Sequence, residues 1–543
     1  VTDARKRNAV AAILALLLAA GCTHAGNPDT NGTRHAWTIP GVVRLGEVAE
    51  PDSLNPMFGH TEATDIADGL IFSFLLRYDD KGNYIPDLAT VVPTLANGGI
   101  SRDGKTITVH LRKGVRWSDG APLTARDWMF TYHAVKNSAN NTKTLYGWDD
   151  IASATAPEDW TIVVHLKQPN SSELGLLAMG GSAYPPLPAH LLAGLPNINT
   201  APFNAAPISS GPYLLKAWDH GSQLTFVPNP LYFRGPPKLR EVDWKVIPDV
   251  NTLFTQLQTH EIDVYATVDE NHVDRLPSID GIVVHKSLIA SWRHLGFNTS
   301  KPLLSDVRVR RAIAEAVDWT RINDTVYHGY NQLGTSDIYP GSWAAPSLPP
   351  YPHDVVDASR LLREAGWQMG ADGMLHRGSQ PLQLTISTGT NKAENAQAEV
   401  VIASELKPLG IDVQIRNYPI NVLFAQNGPI YSGKYDLEWT VETNGPDPDN
   451  SGSWNGAFIP PHGANTSWLN DPIVNQTSIA ALRTFDPAAR KAIYQREEER
   501  LRQLMPAVVF YWENSYTATN SDLKNYKPAA FIADTWNAWE WQI

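Results

Sequence analysis

Asp103-Gly104-Lys105-Thr106-Ile107-Thr108-Val109-His110-Leu111-Arg112-Lys113-Gly114-Val115-Arg116-Trp117-Ser118-Asp119-Gly120-Ala121-Pro122-Leu123-Thr124-Ala125-Arg126-Asp127 is the stretch on which the reading of this chain turns. Ile107, Val109 and Leu111 alternate with Thr106, Thr108, His110 and Arg112, which predicts a strand with one buried face. Ser118-Asp119-Gly120 is a turn, and Thr124 is placed to cap a helix carrying Trp128, Met129 and Tyr132. Gly99 to Thr106 also matches G-x-x-x-x-G-K-[ST] letter for letter. A phosphate loop follows a strand and opens a helix, whose N-terminus holds the phosphate. Here the motif opens a strand, so it reads as a turn.

Outward from this block, elements alternate. Strands are predicted at Val42 to Gly46, Thr161 to Leu166, Tyr213 to Ala217, Gln223 to Val227, Val242 to Ile247, Ile262 to Val264, Leu382 to Ile386 and Ile411 to Ile415. Helices are predicted at Asn251 to Leu257, Asp306 to Val317, Asp354 to Ala365, Ala396 to Leu406 and Arg490 to Leu504, with Gly366 stopping the third. The alternation argues for an α/β fold.

The chain has 543 residues, 43% apolar and 18% charged, enough to bury large cores. A net charge of −12 excludes a general nucleic-acid binder, which needs clustered positive charge. One cysteine excludes an intramolecular disulfide and a cysteine-rich zinc site. Arg5-Lys6-Arg7, the apolar run Ala9 to Ala20 and Gly21-Cys22 have the three parts of an export signal. The apolar run rises only about 18 Å as a helix, short of a ~30 Å hydrocarbon core. Val1 reads as an initiator from an alternative start codon. Thr23 to Ala36 reads as a flexible tether.

Among motifs with chemical meaning, Asp447-Pro448-Asp449-Asn450-Ser451-Gly452 has the start of a calcium loop, but Phe458 stands where that loop needs its bidentate Glu. There is no H-E-x-x-H and no G-x-S-x-G. No cofactor or metal is expected, and no enzyme activity.

Several blocks in order resemble the extracytoplasmic solute-binding proteins of family 5, the dipeptide- and oligopeptide-binding components of ATP-binding-cassette (ABC) importers. They are Asp103 to Asp127, Ser210-Gly211-Pro212-Tyr213, Leu295-Gly296-Phe297-Asn298, Asp306 to Ile313, and Asp447-Pro448-Asp449-Asn450. Leu18-Ala19-Ala20-Gly21-Cys22 likewise resembles a bacterial lipoprotein signal, with Cys22 the acylated residue and Ala19 a departure from the usual Leu. The resemblance implies an α/β, two-lobed periplasmic-binding-protein fold (type II, cluster C-like) with an additional third α/β domain. Residues 1–21 are then signal peptide and 22–36 lipid anchor and tether. Lobe I comprises 37–75, 207–300 and 513–543, with 76–206 inserted on its side, and lobe II is 301–512. The chain is expected to cross between lobes near Ser209 to Gly211, a hinge. The signature block is expected to be structural.

The implied function is capture of di- and oligopeptides in an interdomain cleft and delivery to an ABC permease with its ATPase subunits. The protein is expected to be a lipid-anchored monomer in the periplasm or on the outer face of the cytoplasmic membrane, without nucleic acid. In peptide-binding members an Asp ahead of the Asp-Pro-Asp-Asn-like segment pairs with the peptide amino group. Glu442 matches that position, one methylene longer, and Asp447 competes with it. Trp292 and Trp439 are candidate stacking walls, Arg293 a candidate carboxylate partner, and Asn444 a further candidate contact. The alternatives are the same fold with an oligosaccharide, metal chelate, haem or opine, and an extracytoplasmic sensor or chaperone. The 18 tryptophans also suit a sugar cleft.

Overall fold

A mixed β-sheet of 11 strands is the framework of residues 39–543. A computed structural model describes residues 34–543, so the export signal, Cys22 and most of the tether lie outside the described residues. Ahead of Ile39 there is a short turn in which Thr38 N donates to His35 O (3.1 Å), and it belongs to a unit of its own. Residues 39–543 form one compact unit.

The strands on the main path of the sheet, in chain order, are β1 (Val42–Glu47), β2 (Tyr213–Asp219), β3 (Gln223–Pro228), β4 (Glu241–Val246), β5 (Val264–Tyr265), β6 (Ile282–Phe297), β7 (Gln383–Ser387), β8 (Asp412–Ile415), β9 (Leu437–Thr443) and β10 (Ala507–Asn520), and the short strand Gln332–Leu333 pairs with β10 off that path. Their spatial order is β8-β7-β9-β6-β10-β5-β1-β4-β3-β2. β1 lies parallel to β4 and β5, β7 lies parallel to β8 and β9, and β6 is antiparallel to β9 and β10. Helices α1 (Glu62–Ile71) and α2 (Ala125–Lys136) flank the first half. At α2 the expected cap is a full capping box: Thr124 Oγ accepts from Arg126 N (3.3 Å), and Thr124 N donates to Asp127 Oδ2 (2.8 Å).

Two large cores result. The first gathers Val43, Leu70, Trp117, Trp128, Trp244 and Trp541; the second gathers Leu295, Ile313, Trp367, Leu384, Trp439 and Phe510. A smaller cluster around Phe254, Ile262 and Ala518 lies under β5 and the adjoining end of β10. The signature block serves the first core through Leu111, Val115, Trp117 and Leu123. Gly104 N donates to Ser101 O (2.9 Å), and the strand Thr106–His110 follows, so the phosphate-loop look-alike is a turn into a strand.

The crossing between cores differs from the expectation at Ser209 to Gly211. Phe203 and Tyr213, on either side of that segment, belong to the same first core. Ser209 Oγ and Gly211 N both donate to Ile71 O (2.7 and 2.8 Å), and a Cβ on Gly211 would meet Ile71 C at 2.6 Å. The segment is a close-packed buttress on the end of α1. β6 and β10, of 16 and 14 residues, instead make the passage, spanning roughly 50 Å as extended chain. Their ladder is interrupted: Ile282 to Leu288 pairs with Asn520 to Asn514, the register shifts, and pairing resumes at Trp292 with Trp512.

One buried ion pair ties the first half to this passage. Asp263 Oδ2 accepts from Arg44 N (2.9 Å) and Nε (2.7 Å), and Oδ1 accepts from Arg44 Nη2 (2.8 Å) and Asn520 Nδ2 (2.9 Å). The Asp263 side chain has no exposed surface. Asp263→Ala leaves the guanidinium buried without its carboxylate, and we expect a loss of about 3–5 kcal/mol in urea denaturation. An unchanged midpoint would refute this assignment.

Candidate functional site

A cavity of about 410 Å³ opens where β6 and β10 lose register. That volume lies within the ~300–1,000 Å³ typical of small-molecule sites. Its floor is β1 and β5 with the residues after it (Leu45, Glu47, Val264, Ala266, Thr267). One wall is the irregular part of β6 (Ser287, Ile289 to Ser291) with Thr443 of β9 and Ser515 and Thr517 of β10. α1 contributes Glu62, Asp65 and Asp68 to the lining, and a C-terminal loop contributes residues around Phe531 and Asp534. Ala290 staples two of these parts: its N donates to Ala530 O (3.0 Å), and its O accepts from Asn444 N (2.8 Å).

The acidic wall follows from local sequence. Glu62, Asp65 and Asp68 recur at a spacing of three, so the helix carries them along one face, while Ile66, Leu70 and Ile71 pack into the first core. Acidic groups in the first turn favour the helix through its dipole. Asp68 lies deeper, only 4% exposed, and its Oδ1 has no hydrogen-bond partner among the described residues. Asp534 is anchored, accepting from Tyr526 OH (2.6 Å) and Ala529 N (2.9 Å). Lys143 is the one cation among the described lining residues, with its Nζ 3.8 Å from Asp65 Oδ1.

Burial and mutual repulsion hold these acids toward their neutral forms. The Glu47 carboxyl is pushed up to about 8 by burial, then by Glu62 and Asp534. Asp534 is raised to about 6 by burial, against the two hydrogen bonds that favour its ionised form. Asp68 is raised well above the usual carboxylate range, by burial first and Asp65 second.

The residues singled out from sequence are not among the described lining of the cavity. Glu442 pairs across the ladder with Trp292; it accepts from Ser453 Oγ (2.9 Å), and burial raises its carboxyl. Its neighbour Thr443 lines the cavity. Trp292 is buried and donates from Nε1 to Asn444 Oδ1 (2.8 Å), while Asn444 Nδ2 donates to Asp337 O. Trp439 is wholly buried, stacked on Trp319 in the second core. Arg293 is buried over the faces of Trp439 and Tyr327, its Nε donating to Tyr511 OH (3.0 Å). Asp447 is gripped by Arg490 through two bonds of 2.6 and 2.7 Å, which explains the Asp-Pro-Asp-Asn segment as an anchor on the helix Pro487–Leu504. Nine tryptophans are fully buried, and Trp541 is the one in the described lining, so their abundance serves packing.

Sequence reading missed Glu47, the α1 acids and Asp534. The three-residue spacing of Glu62, Asp65 and Asp68 was the available signal, because like charges on one helix face work against the helix itself.

Residues 90–461 match the bacterial extracellular solute-binding proteins, family 5 (middle), and the chain belongs to this family. It is 26% identical to the oligopeptide-binding protein AppA of Bacillus subtilis, over 95% of this chain and 94% of that one. Among solved structures, AppA of B. subtilis with a nonapeptide superposes with a TM-score of 0.72 at 24% identity, covering 93% of this chain and all of that one. NikZ of Campylobacter jejuni in complex with Ni(L-His) gives 0.75 at 25%, with the same coverage. The fold is thus the α/β, bilobed periplasmic-binding-protein type, and the protein is a non-catalytic, extracytoplasmic solute-binding component of ABC transport.

Buried acids also set how stability depends on pH. Glu497 is fully buried and, like Glu173, is raised by burial to about 8; Glu399 is raised to about 7. A carboxyl whose folded value exceeds its unfolded one gives stability that is full below the unfolded value and lost as pH rises through the folded one. The melting midpoint should therefore fall between about pH 5 and pH 8, and Glu497→Gln should flatten that slope by up to about 1.4 kcal/mol per pH unit. A midpoint that climbs over this range would contradict the assignment.

Proposed function

We propose that this protein captures short peptides in the 410 Å³ cavity and delivers them to an ABC permease and its ATPase subunits. The observation that carries the reading is the cavity's position at the register break of β6 and β10, the two strands leading from one core to the other. A ligand held there touches both sides of the register break and favours the closed arrangement that a permease can distinguish from the empty one. Similarity to an oligopeptide-binding protein along 95% of the chain supports a peptide ligand. Likeness to a structure holding Ni(L-His) supports the second reading, a metal chelate in the same cavity.

In this reading lobe I is 37–75, 207–300 and 513–543, with 76–206 inserted, and lobe II is 301–512. Glu442, beside the lining residue Thr443, turns toward the ligand amino group on closure. Asn444 and Trp292 hold that strand end, and Arg293 and Trp439 stiffen the wall behind it. Cys22 carries a lipid that tethers the protein to the membrane.

Native mass spectrometry of the gently purified protein is the test. A heterogeneous set of short peptides is the expected co-purifying mass; a single metal chelate would replace the peptide reading with the second one. In titration calorimetry, Glu442→Ala should weaken peptide binding by about tenfold or more, the loss of one ion pair in a dry cleft. Unaltered affinity would remove Glu442 from the site.

A further inference from the structure

Five carboxylates line the cavity against one ammonium: Glu47, Glu62, Asp65, Asp68 and Asp534 against Lys143. The positive charge that faces them among the described residues is Lys143, beside Asp65 and Asp68, and Arg77, beside Asp68. Arg77, the guanidinium near Asp68, is already bound to Asp87 Oδ2 (2.8 Å) and Phe72 O (2.6 Å). Lys143 stands at ion-pair distance from Asp65 alone. Asp68, almost wholly buried, keeps an oxygen without a hydrogen-bond partner among the described residues. Acids so crowded and so poorly matched are costly unless something brings them positive charge.

Among the described residues no group of three or more His, Cys, Asp or Glu is placed to hold a metal ion, and the cavity is far larger than a bare ion. Phe74, Tyr526, Phe531 and Trp541 share the lining, and aromatic faces beside carboxylates suit ammonium and guanidinium groups.

We infer that the cavity selects a short organic ligand carrying two or more ammonium or guanidinium groups, bound by the α1 acids, Glu47 and Asp534. The ligand class is a basic peptide or a free oligoamine. The inference takes its site from the peptide reading above but takes the ligand's charge from the cavity alone. Binding is coupled to protons. Glu47 faces Glu62 and Asp534; Asp65 faces Asp52 and Lys143; Asp68 faces Asp65, Lys143 and Arg77; Asp534 faces Tyr526 and Glu62. A cation entering this set ionises the carboxyls that were neutral and expels their protons, so affinity rises with pH.

The test is titration calorimetry with Lys-Ala-Lys, Ala-Ala-Ala, Glu-Ala-Glu and spermidine. Lys-Ala-Lys should bind at least about tenfold tighter than Ala-Ala-Ala, with Glu-Ala-Glu weakest. Its affinity should drop about fivefold or more between pH 8 and pH 6, across the range where Glu47 and Asp534 take up protons. Asp68→Asn should weaken Lys-Ala-Lys about tenfold, and Glu62→Gln, at an exposed helix position, gives the same direction should Asp68→Asn fail to fold. Ala-Ala-Ala or Glu-Ala-Glu binding as tightly as Lys-Ala-Lys would overturn the charge inference and keep the peptide reading. Spermidine binding with no peptide binding would keep the charge inference and overturn the peptide reading. No heat with any probe, from protein that melts cooperatively, would overturn both.

Discussion

The Asp263 carboxylate is the constraint on which the rest of the structure leans. It accepts four hydrogen bonds, three from Arg44 and one from Asn520, and so joins β1, the entry to β5 and the end of β10. The ion pair is buried, so its worth lies less in net stability than in geometry: a buried carboxylate with four donors tolerates one arrangement. That arrangement sets β1 and β5 side by side as the cavity floor and fixes the point from which β10 leaves for the second core. Glu47 is only three residues from Arg44 along β1, so the position of the floor acid follows from the same pair.

From that fixed end, β6 and β10 run as a two-strand passage whose ladder breaks between Leu288 and Trp292. A continuous ladder resists bending, because every bond must shift together. A gap removes that resistance at one place, and the cavity sits at that place. In the proposed function, binding and shape change are coupled by this position. The segment Ser209 to Gly211 has the composition of a hinge but the packing of a wedge, since any side chain on Gly211 would strike the Ile71 backbone.

Two populations of raised carboxyls differ in what they do. Glu173, Glu399 and Glu497 are raised by burial in the framework. Glu47, Asp68 and Asp534 are raised by the same desolvation but face an open space. A ligand can change the second group's surroundings and cannot change the first's.

Local patterning was sufficient for much of the fold. The strand at Thr106–His110, the capped helix from Ala125, the helices Val307–Ala316 and Val355–Glu364 and the positive φ of Gly366 were all legible, because each depends on residues within a few positions. The ordered blocks were legible as a family for the same reason. β6, β9 and β10 were not: they are largely buried and carry no clean alternation, so period-two patterning is absent where it matters most. The site was less legible still. Trp439, Trp292 and Asp447 are prominent in sequence but are spent on packing, on holding Asn444 and on Arg490. The sequence by itself determined which short segments fold as helix or strand and which residues carry charge. Only the tertiary structure decided which charges meet, because Glu47, Asp68 and Asp534 are brought to one cavity by strand pairing and core packing between segments hundreds of residues apart.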